Sequence, residues 1–267
     1  MKKAHLKNTV IAILLLTNFF LAVSLVTHVI RENAARRRTY EELEQLFASN
    51  EIQLSVQRMP DDEQTPAPVE PQRSLGEEMS FALDLLGPCS VEEVGGGIYR
   101  HTNASGQCMI RAGGAVEASM QRAVSSPDAF ANDLFSRYGY RRVSDEFADG
   151  RKTICGIREL SDMTVFNATL ALTFSQDRLT AVDGFFIPKV ETAPHSESMD
   201  AVTALVRFLD YSNANGEVCT SVEDVTCGYL LHNTAFASQR LLPAWRITTD
   251  VSRYYVNAVD GEVTRDS

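Results

Sequence analysis

Between Thr9 and Ile30 every position is uncharged and most are apolar, and this run stands apart from the shorter patterns that follow it. Lys2, Lys3 and Lys7 precede it, and Arg31, Arg36, Arg37 and Arg38 come after. A helix of that length rises about 33 Å, enough to cross the hydrocarbon core of a bilayer. A cleaved secretory signal has a shorter apolar stretch, about 7–15 residues before a small-x-small site. Here Asn33-Ala34-Ala35 offers a poor first residue for such a site. An uncleaved transmembrane helix over residues 9–30 is therefore expected, with residues 1–8 as a cytoplasmic tail. The flanks carry similar basic charge, so a positive-inside count does not settle the orientation. The short N-terminal flank has no acid to offset its lysines, which favours that end inside and the rest of the chain outside.

Beyond the span, Thr39-Tyr40-Glu41-Glu42 has the form of a capping box. Leu43, Leu46 and Phe47 then fall on one helical face, and Ile52, Leu54 and Val56 alternate as a short strand ending at Pro60. Residues 31–58 thus read as a juxtamembrane helix and strand. Pro66, Pro68 and Pro71 mark residues 59–74 as a Pro-rich linker or exposed loop.

A first α+β unit is expected over residues 75–190. Met79, Leu83 and Leu86 suggest a helix closed by Gly87-Pro88. Residues 95–110 suggest a hairpin about Asn103 to Gly106. Ser126-Pro127 opens a helix whose Phe130, Leu134 and Tyr138 share a face. Strands are predicted over 153–160, 164–174 and 179–187, with Ser175-Gln176-Asp177 as a turn. A second unit is expected over residues 191–267. Met199, Val202, Leu205, Val206 and Leu209 mark a helix closed by Asn213 to Gly216, and strands follow at 217–221, 227–232, 241–248 and 254–258. Helix followed by antiparallel meander, twice, predicts an α+β fold of two such units behind the anchor.

Charge changes the picture little. All 35 acidic residues and 22 of the 25 basic ones follow the span, so the exterior part carries a net −13 with histidines neutral. That argues against nucleic acid or an anionic polymer as a direct ligand. Cys89, Cys108, Cys155, Cys219 and Cys227 form no Cys-x-x-Cys pair or Cys/His cluster, so neither a metal nor a cofactor is expected. Cys219 and Cys227 could pair across a hairpin in an oxidising compartment, although small buried apolar residues are the simpler reading. Asn103-Ala104-Ser105 and Asn167-Ala168-Thr169 match the glycosylation sequon, which matters only in a eukaryotic secretory route. No nucleophile elbow, zinc pattern or supported carboxylate pair is present, so an enzyme is not expected.

At the C terminus, Leu242-Pro243-Ala244-Trp245-Arg246-Ile247 followed by Tyr254-Tyr255-Val256-Asn257-Ala258-Val259-Asp260-Gly261-Glu262-Val263 resembles the ending of the YycI family and of PepSY-like domains. The N terminus is similar too: a span containing Asn18-Phe19-Phe20-Leu21, then a helix, then an Ile-x-Leu strand. The resemblance implies a non-enzymatic, single-pass regulator of the WalK/WalR cell-wall two-component system. It also implies partners, namely a WalK-like sensor histidine kinase and a YycH-like sister protein. The Pro-rich insert and the five cysteines depart from that family's pattern. A second reading is a PepSY-type extracytoplasmic module that inhibits or chaperones an exported peptidase, or binds a wall component.

On a strand, Trp245 and Arg246 face opposite sides, so Trp245 is expected in the core and Arg246 toward solvent or a partner. Asn257 is read as bonding its adjacent turn. Thr17 and Asn18 lie near the middle of the span, where an amide seeks a partner helix for about 1 kcal/mol. Thr17, Asn18, Phe19 and Phe20 are therefore the expected transmembrane contact, and Arg246 the candidate exterior one.

Overall fold

Helix caps and strand alternation place most elements where the pattern put them. The computed structural model describes Thr17, Asn18, Phe20, Ser24, Ala34 and residues 37–56, 60, 65–190, 198–233 and 238–266. Two units are distinguished, Met1–Leu54 and Ser55–Ser267. In the first, residues 37–49 form helix α1 and Gln53–Leu54 form β1. Leu43 and Phe47, one turn apart, are buried, whereas Leu46 is 40% exposed. The amides of Asn50 and Ile52 both donate to the carbonyl of Phe47, which ends the helix.

The second unit runs α2 (Leu75–Leu86), β2 (Ser90–Gly95), β3 (Ile98–Asn103), β4 (Gly106–Ile110), β5 (Ala115–Ala123), α3 (Pro127–Tyr138), β6 (Tyr140–Ala148), β7 (Arg151–Leu160), β8 (Met163–Ser175) and β9 (Arg178–Phe185). It continues with α4 (Ala201–Asn215), β10 (Ser221–Asn233), β11 (Gln239–Thr249), β12 (Arg253–Asn257) and β13 (Val263–Arg265). Ser74, Ser126 and Asp200 cap the helix starts, and Gly87, Gly139 and Gly216 close the ends. These are the residue types whose side-chain oxygens and left-handed backbone satisfy orphan helix groups.

The expected pair of separate units, each a helix on its own antiparallel meander, is not what forms. Strands β2 to β13 make one large mixed sheet, in the order β13-β12-β11-β10-β8-β9-β5-β4-β3-β2, with β7 and β6 branching from β8. The cause is β8, whose 13 residues extend beyond its pairing with β9 and leave its start free to meet β10. Along one edge it pairs with β7; β9 and β10 share the other, β9 at Leu170 to Ser175 and β10 through the single parallel pair Tyr229↔Val165. The expected transmembrane helix is corrected too. Among the described residues no helix is long and apolar enough to cross a membrane. Apart from Thr17, Asn18, Phe20 and Ser24, residues 9–30 lie outside those described.

One core holds Phe81, Leu85, Leu134, Phe135, Ile154, Leu170, Leu172 and Phe186, between α2, α3 and the sheet. The edge-on contact of Phe81 and Tyr138, centroids 5.0 Å apart, joins the two helices. Arg158 is 6% exposed, and its guanidinium donates to the carbonyls of Tyr138 and Gly139, where α3 ends. A cation there also meets the negative end of the helix dipole. The stretch expected as an exposed linker is tied down where it is described. Val69 exchanges both backbone bonds with Leu241 (2.9 and 2.7 Å), and Tyr229 donates to the carbonyl of Ala67.

His101 lies opposite Cys108, is 2% exposed, and neither ring nitrogen has a partner. Burial lowers its pKa. The unfolded chain, with histidine near 6.5, therefore takes up a proton first as pH falls. Stability from this group is complete above about pH 6.5 and is lost as pH falls through the lower folded value. The urea midpoint should accordingly fall between pH 7.5 and 5, with a slope from His101 of at most about 1.4 kcal/mol per pH unit. A His101→Phe protein should lose that part of the slope; an unchanged profile would exclude His101 as its source.

Candidate functional site

One face of β11, β12 and β13 is covered by α4. Tyr254 and Val256 turn toward α4, where Tyr254 packs 4.9 Å from the ring of Phe208, and both are fully buried. Trp245 is fully buried on the same side, and its indole N–H donates to the carbonyl of Met199 (2.7 Å). Because strand neighbours alternate, Arg246, Tyr255 and Asn257 face the other way, beside Leu230 and Leu242 across β10 and β11.

Part of that second face is covered by Phe166, from β8. Its ring lies 5.5 Å from Tyr255, and the Arg246 guanidinium stands 5.0 Å above it. Next to it, Asn167 uses its side chain as a strand would, donating to the carbonyl of Leu231 (2.9 Å) and accepting from its amide (2.7 Å). What stays open is a cleft of about 300 Å³ lined by Asn167, Leu230, Leu242, Tyr255, Asn257 and Thr264 among others, with His232, Glu262, Arg265 and Asp266 also on its wall. Burial and the neighbouring Asp266 carboxylate raise the Tyr255 pKa, so its phenol is a neutral donor to Asp266 at 3.3 Å.

The sequence-expected residues divide. Asn257 accepts from the Val259 amide (2.9 Å), fixing its turn while standing in the cleft wall. Arg246 lies outside the cleft lining. It is held by Phe166, by Asp224 at 3.6 Å and by the hydroxyl of Thr226 at 3.4 Å. Thr17, Asn18 and Phe20 have helical backbone and exposed side chains, Phe20 being 71% exposed; Phe19 lies outside the described residues. Sequence reasoning missed Phe166, Asn167, Leu230 and Leu242. Leu242 could have been found by extending the alternation of β11 backwards from Arg246, whose face it shares, whereas Leu230 joins it only through strand pairing.

Little in this region favours covalent chemistry. All five cysteines are free. Burial pushes the thiols of Cys108 and Cys227 up to about 12 and about 11, which suppresses the nucleophilic thiolate. Cys227 lies within β10 and Cys219 just before it, so no hairpin turn separates them, as the alternative pairing would have needed. Both sequon amides are engaged, Asn167 as above and Asn103 donating to the carbonyl of Leu86 (2.7 Å). Among the described residues, no group of three His, Cys, Asp or Glu is placed to hold a metal ion.

No protein-family model matches the chain, and no curated protein matches it. Among solved structures it is similar to an uncharacterized protein from Eubacterium rectale, with TM-score 0.49 and 10% identity over 81% of this chain and 90% of that one. It is also similar to the Bacillus megaterium YpeB C-terminal domain, with TM-score 0.37 and 10% identity over 74% of this chain and 99% of that one. At those scores neither likeness transfers a residue, a ligand or an activity, and neither shows membership of the YycI family.

Proposed function

We propose that this protein is a non-enzymatic, single-pass membrane regulator of a cell-wall-related sensor kinase, its N terminus cytoplasmic and its C-terminal unit extracytoplasmic. One observation carries the reading. The C-terminal motif that resembles YycI splits into a half that builds the core, Trp245, Tyr254 and Val256, and a half, Tyr255, Asn257 and Glu262, that lines an open cleft. Aromatic, aliphatic and amide groups side by side are the composition of a protein-recognition surface. The uncharged segment from Thr9 to Ile30 supports the anchor, and Asn18 within it supports contact with a partner helix.

The second reading, a PepSY-type module acting on an exported peptidase or a wall component, is favoured by the position of the cleft. Its lining residues run from Asn167 to Asp266, far along the chain from the span. Co-purification from detergent-solubilised membranes separates the two. If the anchored regulator is right, a kinase or sister protein accompanies the wild type, and Asn18→Leu weakens the association about fivefold, the equivalent of about 1 kcal/mol. If nothing accompanies the wild type, and deleting residues 9–30 leaves the regulatory phenotype intact, the intramembrane mechanism is wrong and the PepSY-type module replaces it.

A further inference from the structure

We infer that the outer edge of β13 binds an extended, basic segment of a partner protein by strand addition, with the cleft taking side chains from one face of the added strand. This deepens the proposed binding role and rests on it. The backbone supplies the first half of the argument. The Asp266 amide donates to the carbonyl of Arg253 (2.8 Å), and the Asn257 amide donates to that of Glu262 (2.9 Å). With the register Tyr255↔Thr264, these bonds make 253/266, 255/264 and 257/262 the hydrogen-bonded pairs. The N–H and C=O of Val263 and Arg265 must then point away from β12. Among the described residues no strand pairs with that side, because β13 ends the sheet. Two donor–acceptor sets at strand spacing are what an incoming strand requires.

Side chains supply the second half. Glu262, Thr264 and Asp266 share the cleft face, all three are exposed, and all border the cleft. Of the two nearby cations, Arg265 has its guanidinium bonded to Glu217 (2.9 Å), and Arg253 stands 3.9 Å from Asp266 in an exposed pair that leaves Glu262, among the described residues, without a cation. The edge therefore presents two carboxylates flanking a threonine. Directly opposite cross-strand positions bring Cβ atoms within about 5.5 Å, so the complementary strand carries basic residues on either side of a small central one. A second copy of this β13 does not fit, because an antiparallel pairing centred on Thr264 would set Glu262 against Asp266. The other free edges are built differently. β6 carries a bulge between Arg142 and Ser144 and mixed charges closed in ion pairs, and no residue of β2 borders the cleft.

The test uses the full chain in detergent micelles and two fluorescein-labelled peptides, Ser-Lys-Val-Thr-Val-Lys-Ser and its Glu-for-Lys counterpart, read by anisotropy. The basic peptide should bind at least about tenfold more tightly than the acidic one, as expected when two attractive edge pairs become repulsive, and the difference should shrink with salt. Val263→Pro removes an outward N–H without touching a bond to β12, so it should abolish binding and leave thermal unfolding nearly unchanged. Glu262→Lys with Asp266→Lys should reverse the charge preference, and this exposed pair keeps the test valid if the proline variant fails to fold. Equal binding of both peptides, binding of neither, or unaltered binding by the charge-reversed protein would overturn strand addition. A kinase or sister protein that still co-purifies with Val263→Pro would overturn it too, while leaving the regulator reading in place. A basic peptide that binds when no such partner does would sustain the edge and remove the regulator.

Discussion

Trp245→Ala is expected to destabilise the protein by about 3–5 kcal/mol, the range for removing a large aromatic from a closed core. At about 2–4 °C per kcal/mol for a unit of this size, that lowers the midpoint of thermal unfolding by at least about 6 °C. The indole is wholly buried between β11 and α4, and its N–H holds the carbonyl of Met199. Met199 in turn donates to the carbonyl of Ala258 (2.9 Å), so one side chain ties the entry of α4 to the end of β12. Trp245→Phe keeps most of the volume but leaves that carbonyl short of a donor, and should cost about 1–3 kcal/mol. Urea titration followed by circular dichroism measures both. Trp245 is also the chain's one tryptophan, so native emission should be blue-shifted and poorly quenched by iodide. A loss below about 1 kcal/mol for the alanine variant would mean that the helix-covered face is not the core it is taken to be.

The elements most legible in the sequence are those whose signals are local. Ser126-Pro127 and Gly139 bracket α3, and Gly216 closes α4 after Asn213, because caps act on groups within one turn. The turn at Ser175 to Asp177 is readable for the same reason: Gln176 and Asp177 take positive φ of 49° and 55° between two alternating runs. Strands without clean alternation escape the pattern or break it. All of β2 is exposed and carries adjacent Glu92 and Glu93, so it has no buried face to show. In β6 the bulge between Arg142 and Ser144 reverses the alternation midway. The strand predicted at 217–221 does not form: residues 217–220 lie before β10, which begins at Ser221 and shifts register between Val222 and Asp224. The merging of the expected meanders into one sheet has no local signature at all. It depends on where β8 and β10 meet, a contact between residues about sixty positions apart. The cleft shares that origin. The C-terminal motif points to Tyr255, Asn257 and Glu262, whereas Phe166 and Asn167 join them only through the fold.

Gly228→Val should be strongly damaging at this junction, costing about 3 kcal/mol, the upper end for overpacking. A Cβ at Gly228 would lie 2.4 Å from the carbonyl oxygen of Thr164 and 2.6 Å from the ring of Phe166, closer than real Cβ contacts come. The oxygen belongs to backbone beside the parallel pair Tyr229↔Val165, so it cannot rotate away; β8 and β10 would have to separate. Reduced entropy of the unfolded chain returns only about 0.4–1 kcal/mol to a glycine replacement, too little to reverse the sign. Gly76 provides the contrast, since it lies in the first turn of α2 and a Cβ there would meet nothing within 4 Å. Gly76→Ala should therefore stabilise by up to about 1 kcal/mol through helix propensity. The comparison also separates stability from function. Moving Phe166 releases its contacts with Tyr255 and Arg246, so Gly228→Val should lose partner binding even below its unfolding temperature, whereas Gly76→Ala should keep it. A Gly228→Val protein as stable as the wild type would show that β8 and β10 do not approach as closely as this sheet requires.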